Sequence, residues 1–243
     1  MSLSQKVRTG IPGLDSILSG GLREGMNVVL SGQPGSGKTT LGMQFLYYGA
    51  KDFDESGIFV TLSESPNSIK NNFMSYGWDV QGLIEQGKII IIDARPFKME
   101  EGFVVLDESL YRGESLPFTH LTQLILSSIK RIGAKRLVID SLSVLAMQYT
   151  NEFYVRQGLQ GMVHALESQH CTSLLISETS EIQLPLDWYV TSGIILLHHI
   201  RREDTMEREI HVLKMRGIKH SEQILPIRIN DSGMQVMHPR LIP

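Results

Sequence analysis

The sequence predicts an α/β fold: a mostly parallel sheet with helices on both faces and an antiparallel C-terminal extension. Three observations carry this. Short apolar, β-rich runs alternate with helical runs from residue 26 to residue 177, the pattern of a parallel sheet covered on two sides. From residue 193 onward the runs are strand-like with short connections, which suits hairpins. A glycine loop, Gly32-Gln33-Pro34-Gly35-Ser36-Gly37-Lys38-Thr39, stands between the first core strand and the first long helix.

In chain order, residues 9–22 (TGIPGLDSILSGGL) read as turn punctuation with one helical turn over Leu14 to Leu18. Met26 to Ser31 is a strand, and Thr40 to Ala50 lies in the helix after the loop. Gly57 to Leu62 is a buried-type strand. Ser65 followed by Pro66 marks a helix start, with Ser65 as N-cap, and Gly77 ends a helix that runs to about Tyr76. A short helix is expected over 80–86 and a strand over Lys88 to Asp93. Residues 94–117 lack a clean period and form an excursion, with a short hairpin or strand expected at Phe103 to Leu106. Leu121, Leu124, Ile125, Ser128 and Ile129 share one face of a helix from Thr119 to Ile132. A strand over Arg136 to Asp140, a long helix over Asn151 to Gln169 and a strand over Thr172 to Ser177 follow. Gly193 to Ile200, Glu207 to Met215, Leu225 to Ile229 and Met234 to Met237 complete the sheet. One domain, 1–243, is expected.

Hydrophobic content of 42% and charged content of 20% place the chain among globular proteins rather than disordered ones. No apolar run reaches the ~18 residues of a membrane helix, and the first residues lack the apolar segment of a secretory signal. The single cysteine, Cys171, excludes an internal disulfide and reads as a buried small residue. A cytoplasmic protein is expected. The net charge of −3 and a pI near 6.2 argue against non-specific nucleic-acid binding, which needs a basic face.

The glycine loop matches the Walker A pattern G-x-x-x-x-G-K-T, in the strand–loop–helix context that the motif requires. Glycines let backbone N–H groups turn inward around phosphate oxygens, and the helix adds its positive end. Gly32, Gln33, Pro34, Gly35, Ser36, Gly37, Lys38, Thr39 and Thr40 form the expected nucleotide site. Lys38 would reach the β/γ-phosphates, and the Thr39 hydroxyl would ligate Mg²⁺. The run Leu137-Val138-Ile139-Asp140 fits Walker B, with Asp140 as the second metal-holding residue. Glu64 has two readings: the group that orients or deprotonates the attacking water, or an acid stabilised at the start of the following helix. Glu178, after a strand, is a further acid that would face the nucleotide. Lys214 and Arg216 alternate along a strand and share a face. On spacing alone a solvated strand face is the favoured reading of that pair.

TGIPGLDSILSGGL (9–22), GQPGSGKTT (32–40), QFLYYG (44–49), FVTLSESP (59–66), VIDSLS (138–143), SETSE (177–181) and KMRGIKHS (214–221) resemble, in order, the KaiC-like branch of the RecA superfamily. The resemblance implies a RecA-like core with a twisted sheet, and ATP with Mg²⁺ as ligands. It implies a homo-oligomeric ring, usually hexameric, with ATP held between subunits. Lys214, Arg216 and His220 match the family's KxRG-x-x-H segment, and would reach the γ-phosphate of ATP held by the neighbouring subunit. This reverses the preference at those positions. The chain departs from the family at Ser63, where a first glutamate of an adjacent pair is common, and at Ser192, where an aspartate is common. Glu64 matches the second glutamate, so a slow or impaired ATPase is expected. The implied role is a regulatory or signalling ATPase with a protein partner. The alternatives are a DNA-binding recombinase or repair paralogue, for which Arg201, Arg202 and Arg208 would supply charge, and an autokinase, for which no residue marks an acceptor.

Overall fold

In the computed structural model the described residues are 6–95, 104–105, 118–178 and 190–237. The first elements are β1 (Lys6–Val7), α1 (Leu14–Ile17) and β2 (Leu22–Arg23), with β1 and β2 paired antiparallel beside the main sheet. They are followed by β3 (Asn27–Gly32), α2 (Lys38–Asp52), β4 (Gly57–Thr61), α3 (Pro66–Met74), α4 (Val80–Glu85), β5 (Ile89–Asp93) and β6 (Val104–Val105). After these come α5 (Phe118–Ile132), β7 (Arg136–Asp140), α6 (Leu142–Ala146), α7 (Glu152–Glu167), β8 (Thr172–Glu178), β9 (Gly193–Arg202), β10 (Thr205–Met215), β11 (Leu225–Asn230) and β12 (Gly233–Val236). Among the described residues the main sheet has the order β12-β11-β10-β9-β3-β8-β7-β4-β5-β6.

The expected α/β architecture is present. From β9 to β6 every pairing is parallel, and from β9 to β12 every pairing is antiparallel. Strand alternation sorts the core into two layers. Val28, Leu30, Phe59, Val138, Leu174 and Ile176 pack with Leu41, Phe45 and Leu46 of α2 on one face. Val29, Ile58, Val60, Leu137, Ile139 and Leu175 pack with α5 and α7 on the other. The Ser65 cap is present: its side chain accepts from Ser68 N, and Gly77 takes φ +68° beyond the end of α3.

The expected short element near 103–106 is a strand. Val104–Val105 joins the sheet edge parallel to β5. The rest of the 94–117 excursion beyond Arg95 lies outside the described residues. The α6 turn was not anticipated.

Helix α2 lies on β7 in a defined register. Gly42 lets the helix approach Val138, since a Cβ there would lie 2.9 Å from Val138 Cγ1. Gly49 leaves room for the Arg136 side chain, into which a Cβ would run. Arg136 is fully buried. Its guanidinium donates to Phe45 O at 2.7 Å, to Arg8 O at 2.8 Å and to Glu55 Oε2 at 2.7 Å, and lies over the Phe45 ring at 4.5 Å. Burial pulls its pKa down, and the Glu55 carboxylate pushes it back up. Removing one partner of a buried pair leaves the other charge uncompensated and costs roughly 3–5 kcal/mol. Arg136→Ala should therefore lower the urea-denaturation stability by about that amount, and Arg136→Lys should recover little, because one ammonium cannot reproduce the planar fork. A loss within about 1 kcal/mol of the surface-mutation range would remove Arg136 from this role.

Candidate functional site

The loop from Gly32 to Gly37 leaves the carboxyl end of β3, where ligands of parallel α/β sheets bind. Gly35 and Gly37 take φ of +77° and +99°, a region that disfavours any other residue. Gly32 is required for a different reason: a Cβ would run into the carbonyl of Leu197 on the neighbouring strand β9. The loop is thus pressed against the sheet, and its last turn opens into α2.

Lys38 is buried and folds back on the loop, its Nζ donating to Gly32 O at 2.7 Å and Gln33 O at 3.0 Å. Burial pulls the Lys38 pKa below the ordinary lysine value, while Glu178 and Asp140 pull it back up. Thr39 Oγ1 donates to Asp140 Oδ2 at 2.6 Å, which joins residues a hundred positions apart. Burial pushes the Asp140 carboxyl above its ordinary range; the Thr39 hydrogen bond and Lys38 oppose this, and Glu64 and Glu178 reinforce it.

These groups line a cleft of about 580 Å³ together with Pro34, Gly35, Gly37, Thr40, Ser63, Glu64 and Glu178. Gly32, Gln33 and Ser36, also expected in the site, belong to the loop but not to the cleft lining, and Ser36 is fully buried. Ser63 and Glu64 both line the cleft because the backbone turns there. Thr61 Oγ1 accepts from Glu64 N at 3.1 Å and donates to Glu64 O at 2.7 Å, a hydroxyl-closed turn. The Glu64 carboxylate accepts at Oε2 from Ser68 Oγ at 3.1 Å and from Asn72 Nδ2 at 3.0 Å, both on α3. Glu178 N donates to Ser143 Oγ at 2.8 Å, which fixes the end of β8 to α6.

Tyr76, Ser141, Val144, Arg208 and Ile229 also line the cleft and were not assigned to it from sequence; Arg208 and Tyr76 carry the most chemistry. Arg208, on β10, donates from Nε to Gly35 O at 3.0 Å. Tyr76 lines the same cleft and stacks on Trp78 with centroids 4.9 Å apart. The signal for Arg208 is the strand order, since its cross-strand partner His199 lies on β9 next to β3. For Tyr76 it is the Gly77 stop that ends α3 beside the cleft.

Lys214, Arg216 and His220 stand elsewhere. In the ladder Gly32 pairs with Leu197, whereas Met215 pairs with Gly193, so the segment lies four residues, roughly 13 Å, toward the other end of the sheet. Lys214 Nζ donates to Thr191 O at 2.9 Å; burial and the neighbouring Arg216 pull its pKa down. Arg216 is exposed, and His220 Nδ1 lies 3.2 Å from Ile218 O. Arg201 and Arg202 are engaged locally: Arg201 with Glu203 O at 3.1 Å, Arg202 with Glu207 and Glu209 at 3.0 and 2.8 Å.

Magnesium takes oxygen ligands and few protein ones, keeping phosphate and water in its shell. Thr39 Oγ1 and Asp140 Oδ2 are two such oxygens, already adjacent, beside a lysine at a helix start. The donor set fits. No helix among the described residues is long and apolar enough to cross a membrane.

A family model described as "ATPase: KaiC" matches residues 7–240. The circadian clock oscillator protein KaiC of Picosynechococcus sp. is 34% identical over 237 residues, which cover 96% of this chain and 44% of that protein. The protein of the same name from Synechococcus elongatus is 34% identical over 236 residues, 95% of this chain and 44% of its own length. The chain therefore spans less than half the length of these relatives. Among solved structures, a KaiC-like protein from the hyperthermophilic archaeon Pyrococcus horikoshii OT3 matches with a TM-score of 0.83 and 30% identity, over 97% of this chain and 100% of the other.

The burial of Asp140 has a consequence for stability. A carboxyl whose folded pKa is raised binds its proton more tightly in the folded state, so its charged form destabilises the fold at neutral pH. That penalty is full above the folded pKa and disappears as pH falls toward the unfolded value of about 3.9. Asp140→Asn should raise the thermal midpoint of the nucleotide-free protein at pH 7 by about 2–4 °C, the shift for about 1 kcal/mol in a chain of this size. The gain should shrink toward pH 4. An unchanged or lowered midpoint at pH 7 in scanning calorimetry would contradict the burial argument.

Proposed function

Because the chain belongs to the KaiC ATPase family, we propose that it is an ATP-binding RecA-type protein that hydrolyses ATP with Mg²⁺ at subunit interfaces of a ring, acting as a regulatory or signalling ATPase. We read residues 1–243 as one such unit. The observation that carries the reading is the 2.6 Å contact of Thr39 with Asp140 at the mouth of a glycine loop that buries Lys38.

The chemistry follows from the groups present. The loop N–H groups and the start of α2 favour the phosphates. Lys38, released from the carbonyls of Gly32 and Gln33, exchanges those hydrogen bonds for phosphate oxygens. Mg²⁺, when bound, neutralises phosphate charge, with Thr39 and Asp140 as the protein's contribution. Arg208 adds a second cation in the same chain, and Tyr76 offers an aromatic face to the base. Glu64 is the water-orienting group or general base, a role that its place in the cleft supports. Lys214, Arg216 and His220 act on the nucleotide of a neighbouring subunit. Their distance along the sheet from their own loop supports this division.

The nucleic-acid reading is disfavoured by Arg202, whose charge is paired with Glu207 and Glu209. The autokinase reading has no observation in its favour.

One experiment tests the proposal: light scattering with and without ATP–Mg²⁺, with phosphate release measured on the same sample. A ring-sized particle and slow release that need both ATP and Mg²⁺ are expected. Lys38→Ala should lose ATP binding and both effects. A variant that keeps nucleotide affinity would overturn the site, and salt-sensitive binding to single-stranded DNA would favour the repair reading. Glu64→Gln should cut phosphate release by roughly 10²-fold or more, as removal of a general base does; an unchanged rate would make Glu64 structural.

A further inference from the structure

We infer that Ser68 and Asn72 act as a brake on hydrolysis, holding the Glu64 carboxylate on α3 and away from the attacking water; this rests on Glu64 serving as the base. The two side chains donate to one and the same oxygen, Oε2, at 3.1 and 3.0 Å. They stand four and eight residues beyond Glu64, on successive turns of one face of α3. Both donors come from the helix and engage the lone pairs of Oε2, bonds that hold the carboxylate turned toward α3.

The anchor is rigid on both sides. Thr61 closes the turn that presents Glu64, and the Ser65 cap fixes the first turn of α3 through Ser68 N. Glu64 lines the cleft while its Oε2 is tied to α3, so giving up those two bonds needs only side-chain rotation. Asn72 is exposed and Ser68 half-buried, so neither is needed for core packing. Both are positioning residues that act through Glu64. With Ser63 supplying no second carboxylate, the brake on Glu64 sets how fast bound ATP is cut.

The test compares wild type, Ser68→Ala, Asn72→Ala, the double variant and Glu64→Gln for ATP affinity, phosphate release and thermal midpoint. Releasing the brake should raise kcat roughly 3- to 10-fold in the double variant, the scale of about one net hydrogen bond, with KM for ATP within about twofold. Ser68→Thr, which keeps the hydroxyl, should restore the wild-type rate in place of Ser68→Ala. Combining Glu64→Gln with the double variant should erase the gain. In the nucleotide-free protein the Asn72 side-chain amide resonances should shift on Glu64→Ala, and the wild type should show the same shift on adding a non-hydrolysable ATP analogue with Mg²⁺. A kcat that falls or stays level in the double variant, or amide resonances indifferent to Glu64→Ala, overturns the brake. If Glu64→Gln hydrolyses like wild type, the base assignment itself fails; if Glu64→Gln is inactive and the double variant unchanged, only the brake does.

Discussion

The contact line of α2 along β7 is the constraint on which the rest of the site depends. Strand alternation turns Arg136, Val138 and Asp140 toward one face of the sheet. The helix runs back along them, setting Gly49 against Arg136, Gly42 against Val138 and Thr39 against Asp140. Two of these meetings are possible only because glycine stands in the helix, each at a helix-propensity cost of roughly 1 kcal/mol against alanine. What the glycines allow is close approach. Arg136 then fixes the register at the far end by donating to Phe45 O inside α2, and Thr39 meets Asp140 at the near end as a result. A shift of one helical residue would turn Thr39 by about 100° and separate hydroxyl from carboxylate.

The electrostatics of the cleft reflect the same packing. Placing Asp140 and Lys38 where α2 and the sheet meet removes both from water, and each loses part of its preference for the charged form. Glu178 and then Asp140 compensate Lys38, and the Thr39 hydroxyl and then Lys38 compensate Asp140. Such a pair is poorly satisfied by itself. Lys38 turns to loop carbonyls, which are neutral partners, and Asp140 to a hydroxyl. An anion beside Lys38 and a cation beside Asp140 would relieve both. Stability given up in the fold is thus recovered on binding, as linkage requires.

Sequence reading located what local physics determines. The Ser65–Pro66 helix start, the Gly77 stop and the loop glycines act over a few residues, and all stand where their chemistry places them. Asp140 was legible because an apolar strand ending in an acid has few other uses beside a phosphate loop. What was missed depends on distant neighbours or very short pieces. Helix α6 is five residues long and its Ser141 cap makes no side-chain bond, so neither period nor cap announces it. Arg208 reaches Gly35 because β9 joins the sheet next to β3, a non-local choice that strand patterns do not encode. Gly49 reads as a weak spot in a helix until Arg136 is seen to fill the space beside it. The turn that lets Glu64 share the cleft with Ser63 is legible from Pro66, but the Thr61 hydroxyl that closes it is not.

The charge within the cleft bears on how many chains the site requires. Its described lining carries Lys38 and Arg208 against Glu64, Asp140 and Glu178. It is already short of positive charge before any phosphate enters, and a nucleotide triphosphate deepens the deficit beyond what one divalent ion removes. Exposed Arg216 and the adjacent Lys214 are suited to the remainder, but they sit roughly 13 Å along the sheet from the loop of their own chain. A flexible side chain does not span that distance while its strand stays in the ladder. In the proposed assembly a second copy, turned so that its β10 end faces the loop, would bring both cations to the phosphates and leave its own loop open to a third copy. Such a contact joins two different surfaces and repeats, so it either closes into a ring or continues as a filament. The proposed ring and the proposed chemistry therefore stand together: the loop would hold the nucleotide, and the neighbour would balance its charge.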